Sequence, residues 1–84
     1  MKVKQAAIIG GGSFGTAIAS ILASNGIETR QWMRNEKIAH AINTDHENPQ
    51  YLPDVKLDPK LKASNDLAYV IAGAELIFVS VPSK

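Results

Sequence analysis

Two kinds of apolar pattern alternate along this chain. A short apolar run over residues 5–9 is typical of a buried strand, and from residue 13 or 14 to residue 24 the apolar positions recur at helical spacing. The pair then repeats, as a strand predicted over residues 28–33 and a helix that Asn35 caps and that fades near residue 45. Strands that alternate with helices in this way predict an α/β chain with a parallel sheet.

The remainder of the chain holds a loop and two further strands. Proline and turn-forming residues over residues 46–60 predict a surface loop. A short strand is expected at residues 61–63, a helix that opens at residues 64–66 and ends by residue 72, and a strand buried on both faces at residues 75–81. Right-handed crossovers then give a Rossmann-type parallel sheet in the order 3-2-1-4 with flanking helices.

A glycine-rich turn, Gly10-Gly11-Gly12-Ser13-Phe14-Gly15, joins the first strand to the first helix. Gly10 suits a tight turn, Gly12 lets a pyrophosphate approach the backbone, and Gly15 lets the helix pack close to the strand. Ser13 is expected to cap the helix, whose free N–H groups and positive dipole end face the anion. This GxGxxG motif predicts a dinucleotide site, the alternative being an ordinary turn between a strand and a helix.

The end of the second strand indicates which dinucleotide binds. NAD sites usually carry an acidic residue there, and residues 32–35 contain none. Arg34 can hold a 2′-phosphate in its planar charged fork, which favours NADP or the use of both cofactors, unless it is an arginine in a solvated turn. Phe14 either lies over the pyrophosphate or packs as the first apolar residue of the helix. Trp32 is predicted to be a core residue, the alternative being that it shields the adenine pocket, and Arg30 is predicted to be a charge at an edge of the sheet.

The predicted strand order also locates the crevice. The chain that follows strand one and the chain that follows strand four run in opposite directions along the sheet. A ligand is therefore expected between the carboxyl ends of these two strands. The nicotinamide then points toward the end of the fourth strand, near Pro82 and Ser83.

Composition narrows the class of protein. The 84 residues carry a net charge of +1, with 45% hydrophobic and 20% charged residues, which is typical of a globular chain with no nucleic-acid or membrane-surface partner. The chain has no cysteine, no apolar run of transmembrane length and no leader after its initial Met, so we expect a cytoplasmic protein. His40 and His46 lack the spacing of a metal or acid–base pair, and neither a metal site nor a catalytic residue is predicted.

Several short motifs together resemble one enzyme family. They are Gly-Gly-Gly-Ser-Phe-Gly-Thr-Ala at 10–17, Asn-Gly at 25–26, Trp-Met-Arg at 32–34, Asn48 followed by Tyr51-Leu52-Pro53, and Val-Pro-Ser at 81–83. In this combination the chain resembles the amino-terminal end of bacterial NAD(P)-dependent glycerol-3-phosphate dehydrogenases. It departs from the family at Gly11, where alanine is usual, at Phe14, where tryptophan is common, and at Asn35, where a second basic residue sometimes stands.

The resemblance implies reversible hydride transfer between NAD(P)H and dihydroxyacetone phosphate, which gives sn-glycerol 3-phosphate for glycerophospholipid synthesis. It implies cofactor contacts at Ser13, Phe14, Arg34 and Tyr51, which join Gly10, Gly11, Gly12 and Gly15 of the motif in the predicted site. Arg34 favours NADP slightly over NAD, a preference that Asn35 tempers. The family's catalytic lysine and substrate-phosphate groups belong to later segments, largely in a helical domain. Residues 1–84 are therefore expected to be the amino-terminal part of a dinucleotide-binding domain that alone binds cofactor weakly and reduces no substrate.

Other functions stay open from the sequence. A homodimer is compatible with the family resemblance. Another two-domain NAD(P)-dependent dehydrogenase, such as a ketopantoate or hydroxyacyl-CoA type, is one alternative, although the stretch from Asn48 to Pro53 disfavours it. A free-standing NAD(P)-binding sensor module is the alternative of a different class.

Overall fold

The computed structural model describes residues 2–80. Its elements are β1 (Gln5–Ile9), α1 (Ser13–Ser24), β2 (Glu28–Trp32), α2 (Glu36–Asp45), β3 (Lys62–Ser64), α3 (Leu67–Ile71) and β4 (Leu76–Val79). The four strands form one sheet in the order β3-β2-β1-β4, and each neighbouring pair is parallel. The predicted α/β class and strand order are therefore confirmed, with strand and helix ends that differ from the predicted ones by one to three residues.

The two longer helices begin in different ways. Asn35 caps α2 as predicted, because its Oδ1 accepts hydrogen bonds from the backbone N–H groups of Lys37 and Ile38 at 2.8 and 3.2 Å. The predicted cap at Ser13 is wrong. Gly12 has the extended backbone of an N-cap residue, Ser13 is already helical, and no side chain bonds the first turn of α1. The extended conformation one residue earlier therefore moves the start of the helix and removes Ser13 from the capping position.

The main core lies on the face of the sheet that α1 and α2 cover. Its buried members are Ile8, Ala19, Ala23, Met33, Ile38, Ala39, Ile42, Leu57, Leu61 and Ala63. The predicted surface loop at 46–60 is irregular, as expected, but it contributes Leu57 to this core and buries Asn48 completely. The segment is therefore packed against the sheet domain rather than projecting from it.

Strand β4 departs from its predicted burial. Leu76, Ile77 and Val79 are 43%, 51% and 60% exposed, so the expectation of a strand buried on both faces is wrong for the described residues. Among residues 2–80, β4 pairs with β1 alone, and this leaves its outer side uncovered. Residues 81–84, including Pro82 and Ser83, lie outside the described residues.

Strand β2 lies inside the sheet, between β1 and β3, so the prediction of Arg30 as an edge charge is wrong. The guanidinium carbon of Arg30 lies 4.4 Å from the ring centroid of Tyr69 in α3, and its Nη1 donates to the Tyr69 carbonyl at 2.7 Å. The prediction of Trp32 as a core residue is wrong, because its side chain is only half-buried. Its Nε1–H donates to the Asn65 carbonyl at 2.9 Å. Both side chains thus connect β2 to the region around α3.

No helix among the described residues has the length and apolarity needed to span a membrane.

Candidate functional site

A cleft of about 940 Å³ opens at the carboxyl ends of β1, β2 and β4. It is lined by Ile9, Gly10, Gly11, Gly12, Ser13, Phe14, Trp32, Met33, Arg34, Asn35, Ile38, Gln50, Tyr51, Val79 and Ser80. The structure therefore brings together all the predicted site residues except Gly15, which is buried behind the turn. In open parallel sheets this is the crevice in which ligands bind, where the strand order changes direction.

Two glycines of the turn are required by close contacts with the end of β4. Gly10 has a φ of 132°, and a Cβ atom there would lie 2.2 Å from the carbonyl oxygen of Ser80. A Cβ atom on Gly15 would lie 3.1 Å from the Gly10 carbonyl oxygen and equally close to the Ser80 side chain. The helix consequently starts directly against the end of β4, as the glycine motif predicts.

Gly12 differs from those two glycines, because a Cβ atom built on it has no neighbour within 4 Å. Its φ of −73° and ψ of 179° are accessible to any residue. Neither packing nor backbone conformation requires glycine here, so what its lack of a side chain provides is access to the backbone from the cleft.

Within residues 2–80, the first turn of α1 presents hydrogen-bond donors that no protein group accepts. The first helical bond runs from the Thr16 N–H to the Gly12 carbonyl at 3.0 Å, and the N–H groups of Ser13, Phe14 and Gly15 precede it. No side chain caps this turn, and it contains no acidic residue. The free N–H groups and the positive end of the helix dipole together favour an anion at this place.

A buried polar cluster lies on the core side of the turn. It consists of Thr16, Gln31 and Asn48, each with no exposed surface. Gln31 Nε2 donates to the Gly10 carbonyl at 2.8 Å and to Thr16 Oγ1 at 3.0 Å. Asn48 Nδ2 donates to the Gly11 carbonyl and to the same Oγ1, both at 3.0 Å. From the sequence, no role was predicted for Thr16 or Gln31 on its own, and Asn48 was predicted only as part of a motif. The available signal was a glutamine at an alternate, inward-facing position of a buried strand.

At the other end of the cleft, Arg34 follows β2 and is exposed. Among residues 2–80, no hydrogen bond or ion pair engages its guanidinium, and residues 32–35 contain no carboxylate. Tyr51 is 47% exposed on the rim of the cleft, and its backbone N–H donates to Asn48 Oδ1 at 3.1 Å. A charged fork and an aromatic ring therefore both line the cleft.

Phe14 lies at the opposite rim and is 63% exposed. Its ring centroid is 6.1 Å from that of Phe78, with the two planes inclined by 57°. The side chain is therefore not enclosed in the core, and one side of its ring faces the cleft.

The two histidines lie away from these groups. His40 is exposed on α2, and His46 ends that helix in the left-handed conformation, with a φ of 58°. Across the described range 2–80, no group of three or more His, Asp and Glu side chains is placed to hold a metal ion.

Comparison with known proteins gives the same family in sequence and in structure. The family model described as NAD-dependent glycerol-3-phosphate dehydrogenase N-terminus matches residues 5–84. Glycerol-3-phosphate dehydrogenase (NAD(P)+) of Pseudomonas aeruginosa is 53% identical over 78 residues, which cover 93% of this chain and 23% of that protein. The enzyme of the same name from Alcanivorax borkumensis is 51% identical over 80 residues, or 95% of this chain and 23% of that protein.

Solved structures of glycerol-3-phosphate dehydrogenases superpose on the same region. That of Coxiella burnetii gives a TM-score of 0.84 at 35% identity and covers 95% of this chain and 25% of that one. That of Plasmodium falciparum gives 0.85 at 34% identity and covers 93% of this chain and 24% of that one. This chain thus spans about a quarter of the length of the relatives it matches. With its sheet order, its glycine turn and a family match that extends over nearly all its residues, the chain belongs to the NAD-dependent glycerol-3-phosphate dehydrogenase N-terminus family.

Proposed function

We propose that this chain is the cofactor-binding part of an enzyme that interconverts dihydroxyacetone phosphate and sn-glycerol 3-phosphate with NAD(P)H. The observation that carries the proposal is the uncapped first turn of α1, whose free N–H groups border the cleft beside an unobstructed Gly12. A pyrophosphate there meets donors and a positive dipole without displacing any protein side chain. The names of the relatives supply the substrate pair and the coenzyme class.

The rest of the cleft accommodates the two halves of the dinucleotide. Arg34 follows β2, next to which the adenosine half is expected, and Tyr51 also lines the cleft. A guanidinium binds a phosphate through two parallel N–H donors and also stacks on aromatic rings, so Arg34 favours NADP slightly over NAD. Phe14 and Ser80 border the opposite end, where they would form a wall beside the nicotinamide.

Within this proposal the bound nicotinamide supplies or accepts the hydride. The residues of this chain hold the cofactor: the glycine turn binds the pyrophosphate, Arg34 and Tyr51 position the adenosine, and Phe14 limits water beside the nicotinamide. No described side chain in the cleft is assigned to proton transfer, and the substrate-phosphate groups are assigned to parts of the enzyme outside residues 1–84. The cytoplasmic location and the homodimer stay predictions.

The proposal is tested on the full-length protein expressed from the complete reading frame. We expect oxidation of NADH or NADPH, followed by absorbance, that depends on added dihydroxyacetone phosphate and yields sn-glycerol 3-phosphate. Tight binding of a dinucleotide without any such oxidation would favour the sensor module instead. Failure to bind either dinucleotide would overturn the cofactor site as well.

The preference for NADP is tested by Arg34→Ala. Because the guanidinium is proposed to hold the 2′-phosphate, the dissociation constant for NADPH should rise about tenfold while that for NADH changes less than about twofold. Both constants are measured by fluorescence titration of the full-length protein. Lys37→Ala is the matched control, since it removes the same charge from an exposed neighbouring position that does not line the cleft. Equal weakening of both cofactors by Arg34→Ala would contradict the 2′-phosphate role.

A further inference from the structure

Two consecutive carbonyl oxygens of the glycine turn are bound by buried side-chain amides. The Gly10 carbonyl accepts from Gln31 Nε2 at 2.8 Å, and the Gly11 carbonyl accepts from Asn48 Nδ2 at 3.0 Å. Both amides also donate to Thr16 Oγ1, which uses the two acceptor positions of one hydroxyl. The backbone of the turn is therefore held on its core side by buried side chains that do not line the cleft.

Peptide planarity carries this orientation to the other side of the turn. The described peptide bonds are all trans, and in a trans peptide the N–H points opposite to the C=O. The bond to the Gly10 carbonyl therefore turns the N–H of Gly11 away from the core, and the bond to the Gly11 carbonyl does the same for the N–H of Gly12. Both residues line the cleft, and within residues 2–80 neither N–H has an acceptor.

The geometry of Gln31 shows that the amide groups act as donors here. Its Oε1 is buried and has no hydrogen-bond partner among the described residues. An unpaired buried oxygen lowers stability, and rotating the amide by half a turn would bring that oxygen against the Gly10 carbonyl. The side chain is thus held with its NH₂ group toward the turn at a cost in stability that an apolar residue in the core would avoid.

Asn48 extends the cluster to the rim of the cleft. Its Oδ1 accepts from the backbone N–H groups of Gln50 and Tyr51 at 3.3 and 3.1 Å, and its own carbonyl accepts from the Leu52 N–H at 3.0 Å. One buried carboxamide therefore bonds the glycine turn with its nitrogen and the turn that carries Tyr51 with its oxygen.

We propose that Thr16, Gln31 and Asn48 are positioning residues that aim the N–H groups of Gly11 and Gly12 at the pyrophosphate, and that Asn48 couples this turn to Tyr51. The inference rests on the proposed function of the cleft. It assigns part of the cofactor affinity to side chains that never touch the cofactor.

The primary test is Thr16→Val in the full-length protein, which removes the shared oxygen and nearly conserves side-chain volume. Loss of that acceptor frees both amides to rotate, so the dissociation constant for NADPH should rise about tenfold. Adenosine 2′-monophosphate lacks the pyrophosphate, and its dissociation constant should change less than about twofold. Thr16→Ser, which keeps the hydroxyl, should restore most of the affinity for NADPH.

Asn48→Asp is the second variant, because it replaces the donor by an oxygen that repels the Gly11 carbonyl but keeps the acceptor for Gln50 and Tyr51. Asn43→Asp is the control for the same exchange of donor for acceptor at an exposed position, whereas Asn48 is fully buried. Asn43 also bonds backbone with both ends of its carboxamide, donating to the Ala63 carbonyl at 2.9 Å and accepting from the Ala63 N–H at 2.8 Å, but it does not line the cleft. Both substitutions should lower the unfolding midpoint, whereas only Asn48→Asp should weaken NADPH binding.

Three results would overturn the inference. Wild-type NADPH affinity in both Thr16→Val and Asn48→Asp would contradict the positioning role but not the proposed function of the cleft. Equal weakening of NADPH and adenosine 2′-monophosphate would show a general loss of structure rather than of aimed donors. If the unmodified full-length protein bound neither dinucleotide, the proposed function would fail together with the inference, which distinguishes that result from the other two.

Discussion

The first turns of α1 and α2 follow adjacent strands of one sheet, and their N–H groups are used in opposite ways. In α2 the Asn35 carboxamide accepts from two N–H groups, and Glu36 adds an acidic charge in the first turn. In α1 the cap residue is Gly12, no side chain accepts from the turn, and no acid is present. The chain thus satisfies one helix from within and leaves the other with donors that only an external acceptor can satisfy.

The position of the uncapped helix gives this difference its meaning. Its first turn lines the cleft beside Ser80 at the end of β4 and has no side-chain cap, whereas the turn of α2, whose Asn35 and Ile38 also line the cleft, is already capped by Asn35. An uncapped turn costs stability unless water or a ligand binds it. A missing cap at a sheet's ligand crevice is therefore a more specific sign of an anion site than the glycine motif alone.

The largest predicted effect comes from giving α1 the kind of cap that α2 has. Gly12→Asp fits the extended backbone and the open space around Gly12, and its carboxylate would accept from the Phe14 and Gly15 N–H groups. We expect the dissociation constants for NADH and NADPH to rise at least about 100-fold, because the new charge fills the donors and repels the pyrophosphate. The free energy of unfolding should rise by about 0.5 kcal/mol.

Gly12→Ala is the control for that substitution. It adds a side chain of minimal size and no charge, so binding should weaken much less than in Gly12→Asp. Calorimetric titration of the full-length proteins, paired with urea unfolding, measures both quantities. A Gly12→Asp protein that kept wild-type affinity would contradict the pyrophosphate site.

A smaller effect is expected from removing the N-terminal cap of α2. Asn35→Ala removes the acceptor for the N–H groups of Lys37 and Ile38, and the free energy of unfolding should fall by about 1 kcal/mol. Affinity for NADH should stay within about twofold, since these donors are not proposed to bind the cofactor. Asn35→Ser keeps an acceptor and should recover most of the stability. A large loss of NADH affinity in Asn35→Ala at unchanged stability would reverse the roles assigned to the two helices.

The smallest effect is predicted for Ser13→Ala. The hydroxyl caps nothing in the structure, so the free energy of unfolding should change by less than about 0.5 kcal/mol. Cofactor affinity should change by no more than about threefold, because the backbone N–H of residue 13 is retained. Urea unfolding beside Asn35→Ala provides the direct contrast. A destabilisation as large as that of Asn35→Ala would restore Ser13 as a cap.

Most of the fold could be predicted from the sequence because its signals are local. The apolar run of β1, the helical spacing of α1 and the Asn35 cap each depend on neighbouring residues, and the strand order follows from handed crossovers. The errors arose where distant contacts decide. Arg30 was placed at an edge because a charge in a strand usually lies there, whereas its partner Tyr69 lies 39 residues further on.

The candidate site divides in the same way. The glycine turn and Arg34 could be named because their chemistry is recognisable from residue type and spacing, and Tyr51 could be named from the family resemblance. The structure places them around one cleft. The buried polar cluster could not be predicted, because Gln31 and Asn48 lie 15 and 32 residues beyond Thr16 and the three residues have no motif in common. Their relation exists only after the helix, the strand and the segment at 46–60 have packed together.

The bonds from Gln31 and Asn48 to the glycine turn bear on protein engineering. Gln31 comes from the next strand, and Asn48 lies 37 residues beyond the glycine whose carbonyl it binds. Grafting the six-residue turn into another α/β scaffold would transfer its sequence but not the Gln and Asn side chains that bond its carbonyls. The peptide groups of the grafted turn would then be free to rotate. A transplant that carries the turn, a Gln on the adjoining strand and an Asn-bearing segment should preserve its shape, so the smallest portable unit is three pieces of chain rather than one.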